Sequence, residues 1–143
     1  MGDTCTETSP ATTIRVDLHD GTAVVRVTGE IDMACEKPVR AAIFEQLHQR
    51  PAGLVVDLTG IDFFGSTGIQ LLVEAIAHAQ RLGVALAVAT DRRAVLRPLE
   101  ITHMSQAVVI YPTVQAGLDA LRADGVRADG VRAARHRSSA GVA

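Results

Sequence analysis

Apolar and polar residues alternate from Ile14 to His19, with Ile14, Val16 and Leu18 separated by Arg15, Asp17 and His19. Period two predicts a strand with one buried face. Asp20-Gly21 then reads as a tight hairpin turn. The run Ala23 to Asp32 gives a second strand, with Val25 and Val27 on one face, antiparallel to the first. From Ala34 to Gln49 the period changes. Val39, Ala42, Ile43 and Leu47 recur at helical spacing, and Asp32 is placed to cap this helix. Pro38 falls early enough for its missing N–H to be tolerated. Pro51 and Gly53 end the helix.

Gly53 to Leu58 is a continuous apolar run interrupted only by Asp57, the pattern of a strand covered on both faces in a parallel sheet. A loop, Thr59 to Gly65, leads to a helix over Ser66–Arg81. Ile69, Leu72, Val73 and Ile76 form its apolar stripe, and Gln70, Glu74, His78 and Arg81 lie toward the other side. Ser66 reads as its N-cap with Thr67 as the first helical residue, and Gly83 closes it. Val84–Ala89 predicts another buried strand, Asp91–Glu100 a helix broken near Pro98, and Val108–Tyr111 a last strand. Thr113 caps a last helix running to Ala123. The order β-β-α-β-α-β-α-β-α predicts a single α/β domain: a mixed, mostly parallel sheet flanked by about four helices.

This pattern sets the expected organisation. Residues 1–12 are polar and read as a flexible lead-in, 13–123 as the domain, and 124–143 as a disordered tail rich in Arg, Ala and Gly. The tail carries a five-residue duplication, R-A-D-G-V-R-A-D-G-V-R, too short in period for a solenoid. Its five arginines against two aspartates from Arg122 onward could also serve an acidic partner.

Composition narrows the function. The 143 residues are 48% apolar but only 3% aromatic, so the core is aliphatic and no platform exists for stacking single-stranded bases. A net charge of −2 argues against a duplex nucleic acid or an anionic membrane as partner. Cys5 and Cys35 form no C-x-x-C pair and read as reduced thiols; with no apolar span long enough for a membrane, a cytoplasmic location is expected. The five histidines show no metal-ligand spacing, and no cofactor is implied. Asp32 and Asp62 as a general acid–base pair are outweighed by capping and solvated-loop roles. Ser66 does not sit in a G-x-S-x-G elbow, because Phe64 holds the first glycine position. The Gly60–Gly65 spacing lacks the lysine a phosphate-binding loop needs. The chain reads as a binding protein, not an enzyme.

Two stretches carry a resemblance. Val27-Thr28-Gly29-Glu30-Ile31-Asp32, and Leu54 to Glu74 (LVVDLTGIDFFGSTGIQLLVE), are similar in sequence and spacing to the STAS family of bacterial anti-sigma factor antagonists. The resemblance spans about Thr13 to Ala123. It implies a protein that binds an anti-sigma factor, often a Ser/Thr kinase of the histidine-kinase-like ATPase type, and so frees a sigma factor. It implies phosphorylation of Ser66 by that kinase, with Thr67 the lesser candidate, and resetting by a phosphatase. Asp32, Gly65, Ser66, Thr67, Gly68 and Gln70 form the expected partner surface. One departure stands out: the family has Asp before the serine, and this chain has Gly65, which bears on kinase recognition. A module that is not phosphorylated, acting as a constitutive antagonist or as a sensor of a small ligand or nucleotide, is the alternative. Gly65 is expected to supply a positive φ or a close approach, and Gly68 to leave room for a docked partner. Of Phe63 and Phe64, one is expected in the core and one exposed.

Overall fold

A computed structural model describes residues 7–9, 12–31 and 33–128. The Asp20-Gly21 turn has positive φ at both residues, 53° and 87°, which suits the twist of a two-residue hairpin. It joins β2 (Thr12–His19) to β3 (Thr22–Ile31) in antiparallel register, with His19 opposite Thr22. A short β1 (Glu7–Ser9) pairs antiparallel with β2, inside the stretch read as a lead-in. Three residues of polar sequence carry no periodicity, so only the pairing reveals it.

The sheet continues through β4 (Gly53–Phe64), β5 (Ala85–Ala89) and β6 (Val109–Tyr111), each parallel to its neighbour. The six strands lie in chain order, β1-β2-β3-β4-β5-β6. Between successive strands from β3 onward run α1 (Glu36–His48), α2 (Ser66–Leu82) and α3 (Arg93–Ile101), and α4 (Val114–Ala128) follows β6. Short 3-10 turns at Met33–Cys35 and Met104–Gln106 precede α1 and β6. The expected mixed, mostly parallel α/β sheet with four helices is what forms.

Strand alternation divides the core. Leu54, Val56 and Leu58 of β4 face α1, α2 and α3, joining Val25, Val27, Leu47, Leu72 and Leu99 in the larger cluster. Val55, on the opposite face, packs with Val24, Ala87, Leu118 and Leu121 under α4 alone. Asp57 also points to that side. Although buried, it is satisfied: its Oδ1 accepts from the Thr59 amide at 3.0 Å and hydroxyl at 2.7 Å, and its Oδ2 lies 3.4 Å from Arg26 Nε. Buried carboxylates persist where such partners exist.

Several expected boundaries shift. Of the predicted loop Thr59–Gly65, all but Gly65 is instead the second half of β4, which stays paired with β3 through two register shifts. Gly60 permits this, because a Cβ there would fall 2.6 Å from the Thr28 methyl. α3 starts at Arg93 and runs through Pro98 unbroken, with the Thr102 hydroxyl donating to the Pro98 carbonyl at 2.7 Å. α1 begins at Glu36, after the 3-10 turn; Asp32, its expected cap, lies outside the described residues, as does Cys5. Thr113 caps α4 as expected, accepting from the Ala116 amide at 3.0 Å. That helix extends to Ala128, into the segment read as tail, and the remainder of the tail lies outside the described residues. Gly83 closes α2 with φ 74°, the left-handed conformation that glycine adopts freely.

Candidate functional site

The long β4 carries the chain to the top edge of the sheet, beside the end of β3. Ile31 and Phe64 are register partners there, and the Gly65 amide donates to the Ile31 carbonyl at 3.4 Å. The next residue opens α2. The cap position is Gly65, not Ser66, and its backbone is extended (φ −95°, ψ −164°). No positive φ is needed. The space beside Gly65 is tight instead: a Cβ would lie 3.0 Å from the ring of the exposed Phe63. Ser66 is therefore the first helical residue. Its hydroxyl does not cap the helix, and it is exposed.

The two phenylalanines divide as their register dictates. Phe64 is buried beneath α2, while Phe63 is 51% exposed beside Gly65. Gly68 is buried, and its open side faces Phe64, where a Cβ would come within 2.5 Å of the ring. It makes room for the core, not for a docked molecule. Thr67 is half-buried and Gln70 exposed, one helical turn beyond Ser66.

Ser66 and Gln70 form a ridge between two depressions. On one side a polar hollow of about 340 Å³ is lined by Met33, Glu36, Arg40, Ser66, Thr67 and Gln70. On the other a larger, largely apolar groove of about 800 Å³ runs between α2 and α3. Asp62 stands at its mouth, ion-paired to Arg92, whose Nε donates to the Ile61 carbonyl at 3.2 Å. This pairing uses Asp62 structurally.

Arg40 ties the polar hollow together. Its Nε and Nη2 meet Glu36 Oε2 at 2.9 and 2.8 Å, and its Nη1 pairs with Glu74 across the α1–α2 interface. Both carboxylates raise the Arg40 pKa, Glu74 most. In turn the Arg40 hydrogen bond holds the Glu74 carboxyl below its usual range, with Gln70 assisting. Farther down, His78 stacks against Phe44 at 5.1 Å, and its Nε2 lies 3.0 Å from His48 Nε2. Arg81 Nη2 donates to His78 Nδ1 at 2.6 Å. Burial depresses the His78 pKa, and the charges of Arg81 and His48 add to this. His78 thus joins α1 to α2 from the polar side of its helix.

Met33, 85% exposed, and Arg40 belong to this end of the molecule and escaped the sequence reading. An exposed Met before a helix carries no periodic signal. Arg40 was legible only as a helix surface residue, because its second partner is 34 positions away. Among the described residues no group of three or more His, Cys, Asp or Glu is placed to hold a metal ion, and no helix is long and apolar enough to cross a membrane.

A mixed sheet grading from hairpin to parallel strands, with an exposed serine opening the helix after its central strand, defines a class. The STAS domain profile matches residues 13–117, and the chain belongs to that family. It is similar to the anti-sigma-F factor antagonist RsfB of Mycobacterium tuberculosis, 29% identical over 113 residues that cover 77% of this chain and 89% of RsfB. It is also similar to RsfA of that organism, 27% identical over 121 residues, covering 83% and 94%. The crystal structure of an anti-sigma factor antagonist from Mycobacterium paratuberculosis superposes with a TM-score of 0.75 at 32% identity, covering 81% of this chain and 99% of the other.

Proposed function

We propose that the chain is an anti-sigma factor antagonist that docks an anti-sigma factor of the Ser/Thr-kinase type through the Ser66 end of α2, frees a sigma factor, and is switched off by phosphorylation of Ser66. The observation that carries this reading is the exposed hydroxyl of Ser66 on a ridge flanked by exposed apolar side chains, Met33 and Phe63. The names of the mycobacterial relatives support the antagonist role. A phosphate at the first helical residue lies where unpaired amides and the helix dipole favour an anion, so the domain tolerates it. Its added charge, about −1.5 to −2, opposes a partner seated on the same ridge through repulsion and desolvation. Gly65 in place of an acid leaves the kinase one fewer charge to read, and Phe63 is the side chain that fills the space beside it.

Parallel pull-downs from native lysate with wild type and Ser66→Asp test this. A kinase-type anti-sigma protein held by wild type and lost with Ser66→Asp is expected. Equal capture by both would defeat the switch and leave a constitutive antagonist.

A further inference from the structure

The α2–α3 groove borders the Ser66 ridge, sharing Phe63, Ser66 and Gln70 with it, but most of its lining lies beyond that ridge. Its walls are Ile69 and Val73 from α2 and Ala94, Pro98 and Ile101 from α3, with Phe63 closing one end. Phe63, Val73 and Ile101 are 51%, 46% and 67% exposed, and they account for three of the five large apolar side chains exposed among the described residues. Scattered exposure of single apolar residues is ordinary, whereas their concentration in one concave strip marks a surface that another molecule covers.

The charge at the groove is one-sided. Arg93 and Arg97, four residues apart on α3, both line it. Among the described residues neither has a carboxylate partner, as is also true of Arg15, Arg50 and Arg81, but only Arg93 and Arg97 of these line the groove. Asp62, the one acid at the groove, is neutralised by Arg92. An occupant must therefore bring an apolar ridge and negative charge along one flank. The trough is open along its length, and a small ligand, which needs about 70–90% of its surface enclosed, would leave too much exposed. From Ser66 to Val73 the α2 wall is about 10 Å long at 1.5 Å per residue, room for roughly two turns of a facing helix.

We propose that the α2–α3 groove is a docking trough for an acidic amphipathic helix of a partner protein, seated by apolar residues at i, i+3/i+4 and i+7 on Val73, Ile101 and Phe63 and held in register by Arg93 and Arg97. Assigning that helix to the anti-sigma factor rests on the antagonist reading; the docking chemistry does not.

The test uses the isotopically labelled full chain and a synthetic amphipathic peptide of about five turns, with leucines at the spacing above and glutamates on the polar face. A counterpart carries lysines instead. The acidic peptide is expected to shift the resonances of Val73, Ala94 and Ile101, and to bind about tenfold or more weakly to Arg93→Glu/Arg97→Glu and at raised salt. The lysine peptide is expected not to bind. Equal binding of both peptides, shifts mapping elsewhere, or shifts unchanged in the charge-reversed variant would each overturn the proposal. Concentration-dependent self-association abolished by Ile101→Thr would assign the groove to a second copy and also overturn it. Neither peptide requires an anti-sigma factor or a kinase, so failure here is separate from failure of the Ser66 switch.

Discussion

A Cβ on Gly68 would sit 2.5 Å from the Phe64 ring, so the helix that presents Ser66 rests directly on the last residue of β4. Gly68→Ala gains about 1 kcal/mol of helix propensity. It also forces ring or helix to move, and overpacking of this kind costs about 1–3 kcal/mol. The clash is set against a buried aromatic ring, not a flexible chain end, so the loss dominates. Urea unfolding is expected to show net destabilisation. Gly68→Ala/Phe64→Leu recovers part of it, because the two sites share one contact.

Ser66 as the first helical residue, not the cap, makes its own prediction. Removing a capping serine costs about 1 kcal/mol. Ser66→Ala is expected to cost much less, because Gly65 holds the cap position. Ser66→Asp is expected to be neutral or to gain about 0.3–1 kcal/mol from the helix dipole. Thermal unfolding of the two variants beside wild type checks both. A lower melting temperature for Ser66→Asp would show that lost binding reflects misfolding, not a charge switch.

Glu74 titrates below its usual value because Arg40 hydrogen-bonds its ionised form. A depressed carboxyl pKa stabilises the fold above the unfolded value of about 4.5, and that contribution disappears as pH falls through the folded one. Arg40→Met is expected to move the Glu74 midpoint upward and to flatten the acid limb of the stability curve. Carbon-detected NMR titration reads the first and unfolding at stepped pH the second.

The His48–His78 contact has only one neutral arrangement that satisfies it. Arg81 donates to His78 Nδ1, so the proton of His78 resides on Nε2 and points at His48 Nε2. Protonating His78 places a second proton on Nδ1 and displaces the Arg81 hydrogen bond. With its folded pKa depressed, His78 contributes fully above the ordinary value of 6.5, and the contribution is lost as pH drops through the folded value. Burial is the largest cause, and Phe44 covers the ring. Phe44→Ala is therefore expected to raise the His78 pKa more than Arg81→Gln does, as followed by ring-proton NMR.

The elements with clean periodicity were legible: the hairpin around Asp20-Gly21, α1, α2 and the caps at Thr113 and Gly83. The second half of β4 was not. Thr59, Gly60 and Asp62 have turn-like composition, and what keeps them in the sheet is long-range pairing with Thr28 through Ile31. Val73 illustrates a similar limit. Spacing assigned it to the buried stripe of α2, yet the core takes Leu71, Leu72, Ala75, Ile76 and Ala79 instead, and Val73 turns toward the groove. An apolar stripe wider than the core requires is a signal of a second surface, readable once both helices are in place. At the site, the sequence placed Ser66 and Gln70 at the surface but could not separate Phe63 from Phe64. Their fates depend on which face of β4 each occupies.

The strand order follows the order of synthesis. Every β-strand pairs with the one made just before it, so the sheet gains members at one edge only and admits none into its middle. N-terminal segments fold first as a chain emerges from the ribosome. Here each new strand meets a finished neighbour, and no earlier pair has to part to receive it. The Ser66 ridge, built from β3, β4 and the start of α2, draws on no strand made after β4.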